Sequence, residues 1–366
     1  MQTKGRFDPN SPTIKAYENE LEHQFVREGT MVAFPMCLPG MTTPMIHDES
    51  RISALDIDSE GHIYGGTSGR QTHLFAAAFH DLTGVVVEAG VVPDSTSAVA
   101  VCCGKSRVLA FVNGARGGRA IAIPKIDLAQ DWIQEWGLEP TVLQDIGECI
   151  PKEPVVHAIC DLSRSTVIGI TTGHLFTMDV ESGRVVAVGE VSGRGQLGMS
   201  NSGVFGQDEG ARLWHFDLAS GKIHRAAVDL PEGEWTAALR WSRGGDSSQL
   251  ITADAAGHLF SFDENKGFRS IGKAHLAPVG PMAMTPDGRL FGFCGAEMAN
   301  LFCCDTISGS VSKLGVAASV LEKRRYGYQF GDAVTGPDGE IVFGEDDNDG
   351  HLWLYFPKIK RVTHNL

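Results

Sequence analysis

The sequence predicts an all-β fold, a seven-bladed β-propeller of four-stranded antiparallel blades whose ring is closed by an N-terminal strand. A recurring unit, a recurring third-strand triplet and a shortage of helix signals carry that expectation. The unit is clearest in ISALDIDSEGHIYGGTSGRQTHLFAAA, Ile52–Ala78. Ile52–Asp58 alternates apolar and polar residues, as a half-buried strand does. Ser59-Glu60-Gly61 is a turn in which Gly61 supplies the positive φ of a tight hairpin. Ile63–Thr67 forms a second strand, Ser68–Thr72 a polar loop, and His73-Leu74-Phe75 opens a third strand.

The unit returns in Pro278–Asp305, with Asn300-Leu301-Phe302 at the third strand, and in Phe330–Phe356, with His351-Leu352-Trp353. His174-Leu175-Phe176, His258-Leu259-Phe260 and Arg212-Leu213-Trp214 mark three more copies, and a degenerate one lies near Val99–Ile123. The spacing of roughly 40–50 residues is that of propeller blades. Fourth strands follow as Gly-x-Val-x-x-x-Gly text, as in Gly183–Gly189 and Gly309–Gly315.

In order, blade one spans about Ile52–Val92, blade two Ser95–Ile150 and blade three Glu153–Val191; blade four spans Gly193–Pro231 and blade five Trp235–Ala274. Blade six spans Ala277–Val316, and blade seven ends near Lys358. Blade two is long because it holds Asp127–Gln144, where Trp132 and Trp136 share one face of a short helix. Residues 1–50 read as a strap with a short helix in Ser11–Arg27, followed by an apolar strand, Gly29–Leu38, that completes the last blade. Pairing the chain ends removes exposed strand edges. Residues 51–358 are then one closed domain, because each blade buries its faces only against its neighbours, and 359–366 is a polar tail.

Lys and Arg total 31 against 45 Asp and Glu, a formal net charge of −14. Such a chain does not coat nucleic acid. No apolar run reaches transmembrane length, and Met1–Asn10 lacks a signal-peptide core. The expected location is cytoplasmic, with secretion open if a signal was removed. The eight cysteines include the vicinal pairs Cys102-Cys103 and Cys303-Cys304 but no CxxC, which fits buried reduced thiols.

Topology gives candidate residues an address. Connectors entering each inner strand open on one face, together with the loops between second and third strands. The connectors gather His47, Arg51, His157, Arg194, Gln196, Glu234, Trp235 and His275. The long link Ala317–Gln329 adds Arg324, Arg325, Tyr326 and Tyr328; long loops on repeat scaffolds are frequently functional. The second-to-third loops add Arg70, Arg116, Arg119, Glu209 and Glu345. His73, His174, His258 and His351 share the first third-strand position, so repetition makes them architectural. The run Glu345–Gly350 resembles a calcium loop only loosely, lacks its closing Glu and reads as a solvated turn. A structural calcium ion is the only cofactor candidate, and no other metal is expected.

His, Tyr and Arg without paired carboxylates suit β-elimination on a uronate. His157, His275 or His47 would take the proton, Tyr326 or Tyr328 would protonate the leaving oxygen, and Arg325 would clamp the carboxylate. Arg324, Arg194, Gln196, Trp235 and Arg70 would line the substrate. Glycoside hydrolysis would instead want two flanking carboxylates, and the spacing of Glu234 and Glu209 does not recommend them. Nucleotide-binding, zinc-protease and nucleophile-elbow motifs are missing.

IYGGTSGRQTHLF, GHLFTMDVESGRVVAVGEV and GDAVTGPDGEIVFGEDDNDGHLWLYFP resemble seven-bladed propellers among the uronate-directed carbohydrate-active enzymes. These are the rhamnose–glucuronate lyases and rhamnosidases and the ulvan lyases. The resemblance covers most of Ile52–Phe356 and implies a lyase acting on an acidic oligo- or polysaccharide, with no nucleic-acid or membrane partner. A non-enzymatic propeller that binds protein or glycan is the alternative. A rhamnosidase-type hydrolase using a single His is a third reading.

Overall fold

The computed structural model describes residues 25, 26, 28–36, 45, 47–80, 83–125, 142–208, 211–244, 249–320, 325–347 and 350–358. The helix expected around Trp132 and Trp136 lies outside these, as do Arg324, Glu209 and the tail; of the helix expected in Ser11–Arg27 only Phe25 and Val26 are described, and there Phe25 bridges in parallel to Val316 and the Val26 N–H donates to the Val316 carbonyl at 3.0 Å.

Short antiparallel strands group into seven blades. Blade one is Arg51–Ile57, Ile63–Ser68, Thr72–His80 and Thr83–Val92; blade two is Ser95–Cys103, Arg107–Gly114, Gly117–Pro124 and Gln144–Glu148. Blade three is Val155–Asp161, Thr166–Thr171, His174–Asp179 and Val185–Glu190; blade four is Gly198–Met199, Gly203–Gln207, Arg212–Asp217 and Lys222–Asp229. Blade six is Val279–Met284, Arg289–Cys294, Asn300–Asp305 and Val311–Val316. Blade seven is Phe330–Thr335, Ile341–Glu345 and His351–Phe356, and Thr30–Pro35 pairs antiparallel with its last strand from Thr30↔Phe356 to Pro35↔His351. The ring is closed by the N-terminal strand, as expected.

Blade five departs from the repeat. Its outer three strands are Leu250–Ala253, His258–Asp263 and Gly267–Lys273, but among the described residues a single bridge, Trp241↔Thr252, joins them to the inner position. The inner segment Arg243–Gly244 instead pairs parallel with the inner strand of blade six, Arg243↔Ala283 and Gly244↔Met284.

The glycines inside second strands have a steric reason. A β-carbon on Gly65 would sit 2.2 Å from the Phe75 ring, one on Gly169 2.1 Å from Phe176, and one on Gly206 2.1 Å from Trp214. Each glycine makes room for the aromatic residue of the triplet on the neighbouring strand, and these rings are buried.

The four repeated histidines brace their blades. Their backbone N–H groups donate to the side chain opposite: His73 to Thr67 Oγ1 (3.0 Å), His174 to Thr171 Oγ1 (2.9 Å), His258 to Asp254 Oδ1 (2.8 Å) and His351 to Glu345 Oε2 (3.1 Å). Their rings pair with carboxylates: His73 with Glu49 and Glu88, His174 with Glu153, His258 with Asp254 and His351 with Glu345. Burial lowers the proton affinity of His73, but bonds to Glu88 and Glu49 outweigh it and hold its pKa above the ordinary value. Blade six lacks this brace, because Cys294 stands opposite Asn300 there and its thiol donates to the Asn300 carbonyl oxygen at 3.5 Å, with the His275 ring 3.7 Å from the same sulfur.

Candidate functional site

Inner strands run from the face where they begin, here the upper face, toward the lower one. A cavity of about 470 Å³ opens on the upper face between blades five, six and seven. Three kinds of segment build it: the connector Glu234–Arg240, the start of the blade-six inner strand at Pro278–Met282, and the loops after the second strands at 253–255, 295–299 and Asp346. Phe293 and Phe330 stack at 3.7 Å on its wall, and Trp235 leans on Phe260 at 5.5 Å.

Carboxylates dominate its polar lining, and they differ in what they do. Burial works to raise the pKa of Asp254, but bonds from the His258 ring (3.0 Å), the Glu234 N–H (3.1 Å) and the His258 N–H (2.8 Å) hold it below the usual range. Asp254 therefore fixes the loop that carries Glu234. The Glu234 side chain is exposed and makes no hydrogen bond or ion pair among the described residues. Burial pushes the Asp346 carboxyl up, against the pull of Arg51, 3.9 Å away, and of Arg240. Arg240 donates to the Gly331 carbonyl oxygen at 2.8 Å, and Gln329 donates to that of Ala296 at 2.9 Å.

The rim beside this cavity is apolar. Leu276 is 41% exposed, Met298 43% and Tyr328 42%. They surround one loop: a β-carbon on Gly295 would lie 3.3 Å from both the Leu276 side chain and the Met298 carbonyl oxygen, and Ala299 N–H donates to the Tyr328 carbonyl at 2.8 Å.

The residues expected from sequence are dispersed. Trp235 lines the upper cavity, its indole N–H donating to Pro231 O at 2.7 Å. His157 is buried in the channel wall at 5% exposure, not on the face; its Nδ1 accepts the Leu197 N–H at 3.2 Å. Burial, with the nearby charges of Arg243 and Arg240, pushes its pKa down to about 3, so a neutral ring is held in a packed wall. His275 is exposed and lies 3.7 Å from Cys294 Sγ, with burial of part of its ring and Lys313 lowering its pKa.

Tyr326 is committed to stacking on Phe25, with ring centroids 5.1 Å apart. Arg325 is not an open clamp: it pairs with Glu345, which is fully buried and also receives the Trp353 indole N–H at 3.1 Å. The start of the acidic run is thus internal structure and cavity lining, not a solvated turn. Arg194 donates to the Thr236 carbonyl (2.7 Å), and Gln196 Oε1 accepts the Trp241 N–H (3.1 Å). Arg70 pairs with Glu49 and Asp48. His47 begins a short 3-10 turn, His47–Glu49, and its side chain lies outside the described residues. Among the described residues, no group of three or more His, Cys, Asp or Glu side chains is arranged to hold a metal ion.

Arg240, Asp254, Gln329 and Asp346 were missed as site residues. The connector rule that found Glu234 and Trp235 reaches them too, since Arg240 and Gln329 precede inner positions while Asp254 and Asp346 follow second strands.

No family model matches the chain, and no curated protein matches it. Solved structures do. The chain is similar to the WD40 β-propeller domain of Doa1, with a TM-score of 0.59 and 11% identity over 92% of this chain and 98% of that one. The fold is a β-propeller. A chain of a Mitotic Checkpoint Complex gives 0.58 and 12% over 91% and 95%. The extracellular domain of the putative one component system BT4673 from B. thetaiotaomicron gives 0.56 and 12% over 90% of this chain and 40% of that one. At these identities the likeness is one of fold, which unrelated functions share. The resemblance to uronate-directed enzymes gains no sequence-level support from these comparisons.

Proposed function

We propose that this propeller is a recognition module that docks a segment of a protein partner on its upper face, apolar side chains on the rim and a basic one in the cavity. The observation that carries this reading is the junction of a 470 Å³ cavity with the exposed Leu276, Met298 and Tyr328. Buried apolar anchors beside desolvated pockets supply most of the energy in protein recognition. The unpaired Glu234 and the half-buried Asp346 favour a Lys or Arg side chain there, and the net charge of −14 steers basic partners to the molecule.

Elimination on a uronate would need a base, an acid and a cation around one carbon. Of the residues proposed for it, Tyr326 stacks on Phe25, Arg325 holds Glu345 and His157 lies in the channel wall away from the upper cavity. Among the described candidates, a single-His hydrolase would rest on His275. The binding reading uses the groups that remain open.

The test is selection from a random peptide library, followed by affinity measurement on the enriched sequences. Enriched peptides should place Lys or Arg next to aliphatic or aromatic residues. Glu234→Lys and Met298→Asp should each weaken them about tenfold, the size of one anchor contact. Acidic enriched peptides, or variants that bind unchanged, would overturn the reading. So would a rise in absorbance near 235 nm on incubation with uronate glycans, the mark of an unsaturated elimination product.

A further inference from the structure

Beside the displaced blade-five inner segment lies a second cavity, of about 400 Å³, at the lower mouth of the central channel. Asp56 is the one carboxylate on its wall among the described residues; Arg243, His157, Gln196 and Trp241 bring donors, and the Trp241 indole N–H is buried without a partner among the described residues. Arg243, whose side chain is 18% exposed, gives Nη2 to Asp56 Oδ1 at 2.8 Å and makes no other hydrogen bond among the described residues. The nearby carboxylates are already occupied. Asp56 Oδ2 accepts the Cys103 N–H (2.7 Å), and Asp332 accepts the Leu55 N–H (2.8 Å) and the Ala333 N–H (2.9 Å).

His157 contributes a further donor. Because its Nδ1 accepts the Leu197 N–H, the ring proton resides on Nε2. Gln196 spends its carbonyl oxygen on the Trp241 N–H, which leaves its amide N–H groups. Arg240 and Arg243 both place positive charge near His157. Ile57, Ile159, Leu162, Met199 and Leu250 give the wall its apolar part, with Ser242 and Gln249 beside them.

We propose that the lower mouth of the channel binds a small organic carboxylate, with its carboxylate on Arg243 and its hydrocarbon body against Ile159, Leu162 and Met199. A guanidinium presents parallel N–H groups that match the two oxygens of a carboxylate. A cavity of this size, mostly apolar with a few convergent polar groups, is typical of small-molecule sites. The site lies at the opposite end of the channel from the docking cavity, so it stands or falls independently of the recognition reading.

The test is calorimetric titration of the full chain with butyrate, acetate, inorganic phosphate and chloride at constant ionic strength. Butyrate should bind saturably, one per chain, and more tightly than acetate, with phosphate and chloride weaker than either. Arg243→Gln should weaken butyrate at least about tenfold, the usual scale of a charge-assisted bond. That variant also strands Asp56, so Met199→Trp is the second arm: it fills the cavity, keeps every charge and should abolish binding while circular dichroism stays unchanged. No saturable binding of any probe, affinity untouched by both variants, or phosphate preferred over butyrate would each overturn the proposal.

Discussion

His157 makes the fold sensitive to mild acid, by an amount that follows from its surroundings. In the unfolded chain its pKa is the ordinary 6.5, whereas in the channel wall burial and the charges of Arg243 and Arg240 push it to about 3. Its folded pKa is depressed, so the unfolded chain takes up the proton first. The associated stability is intact above pH 6.5, is lost as pH falls, and is fully lost below about pH 3. Linkage gives a loss of about 2 kcal/mol at pH 5 relative to pH 7.5 from this residue alone. Other groups titrate over the same range, so the measurement must be a difference. His157→Asn keeps an acceptor for the Leu197 N–H, since the Asn oxygen stands where Nδ1 stood, and removes the titration. Urea unfolding of both proteins at pH 7.5 and pH 5 should show the stability difference moving by about 2 kcal/mol in favour of Asn at the lower pH. An unchanged difference would mean that His157 protonates in the folded state, and the walled-in description would be wrong.

Gly169→Ala would drive a methyl group to within 2.1 Å of the Phe176 ring and should cost about 1–3 kcal/mol, read from the denaturation midpoint; an unshifted midpoint would show that the ring has room to turn. Arg325→Met would leave the fully buried Glu345 with the His351 ring as its one remaining basic partner among the described residues and should destabilise by about 3 kcal/mol or more, with partial recovery in Arg325→Met/Glu345→Gln. If the single variant unfolds like the wild type, Arg325 is free to serve a ligand after all. His73 carries the opposite sign to His157: its folded pKa is raised, so its contribution is complete below pH 6.5 and is lost as pH rises through the folded value. The stability gap between wild type and His73→Gln should therefore narrow between pH 6 and pH 9, as followed by thermal melts, and a widening gap would contradict the paired arrangement with Glu49 and Glu88.

Much of the fold was legible because each blade repeats the same local solution. The triplet begins with a residue whose backbone bonds to the second strand and continues with an aromatic residue that needs a glycine across from it. Both constraints are short-range, so His73-Leu74-Phe75 and Gly65 are readable from sequence alone. The histidines' role was legible for the same reason, although their carboxylate partners were not. Glu49 and Glu153 come from the connector before the inner strand, whereas Asp254 and Glu345 end the second strand. Sequence position does not announce that equivalence. The elimination site failed to assemble for a related reason: a face can be assigned from strand order, but burial cannot. His157 and His275 both belong to connector regions by spacing, yet one is packed in the channel wall and the other is exposed.

Blade five is where the repeat stops specifying the answer, and both cavities border it. Its connector, PEGEWTAALRWSRGGDSS, lacks the alternating apolar text that would hold an inner strand against Leu250–Ala253. Gly244 takes a φ of +77° and presses against Thr335 and the Met284 carbonyl, where a β-carbon would lie 2.7–2.9 Å from its neighbours. The inner segment is thereby drawn to blade six. That shift delivers Arg240 toward the upper cavity and Arg243 toward the lower one. Two cations thus enter a channel whose other charged groups, Asp56 and Asp332, are already bonded to backbone N–H groups. A regular blade would have filled the gap with paired backbone. The irregular one leaves unspent side-chain donors at the lower mouth, and natural sequences tolerate such local departures chiefly where function uses them.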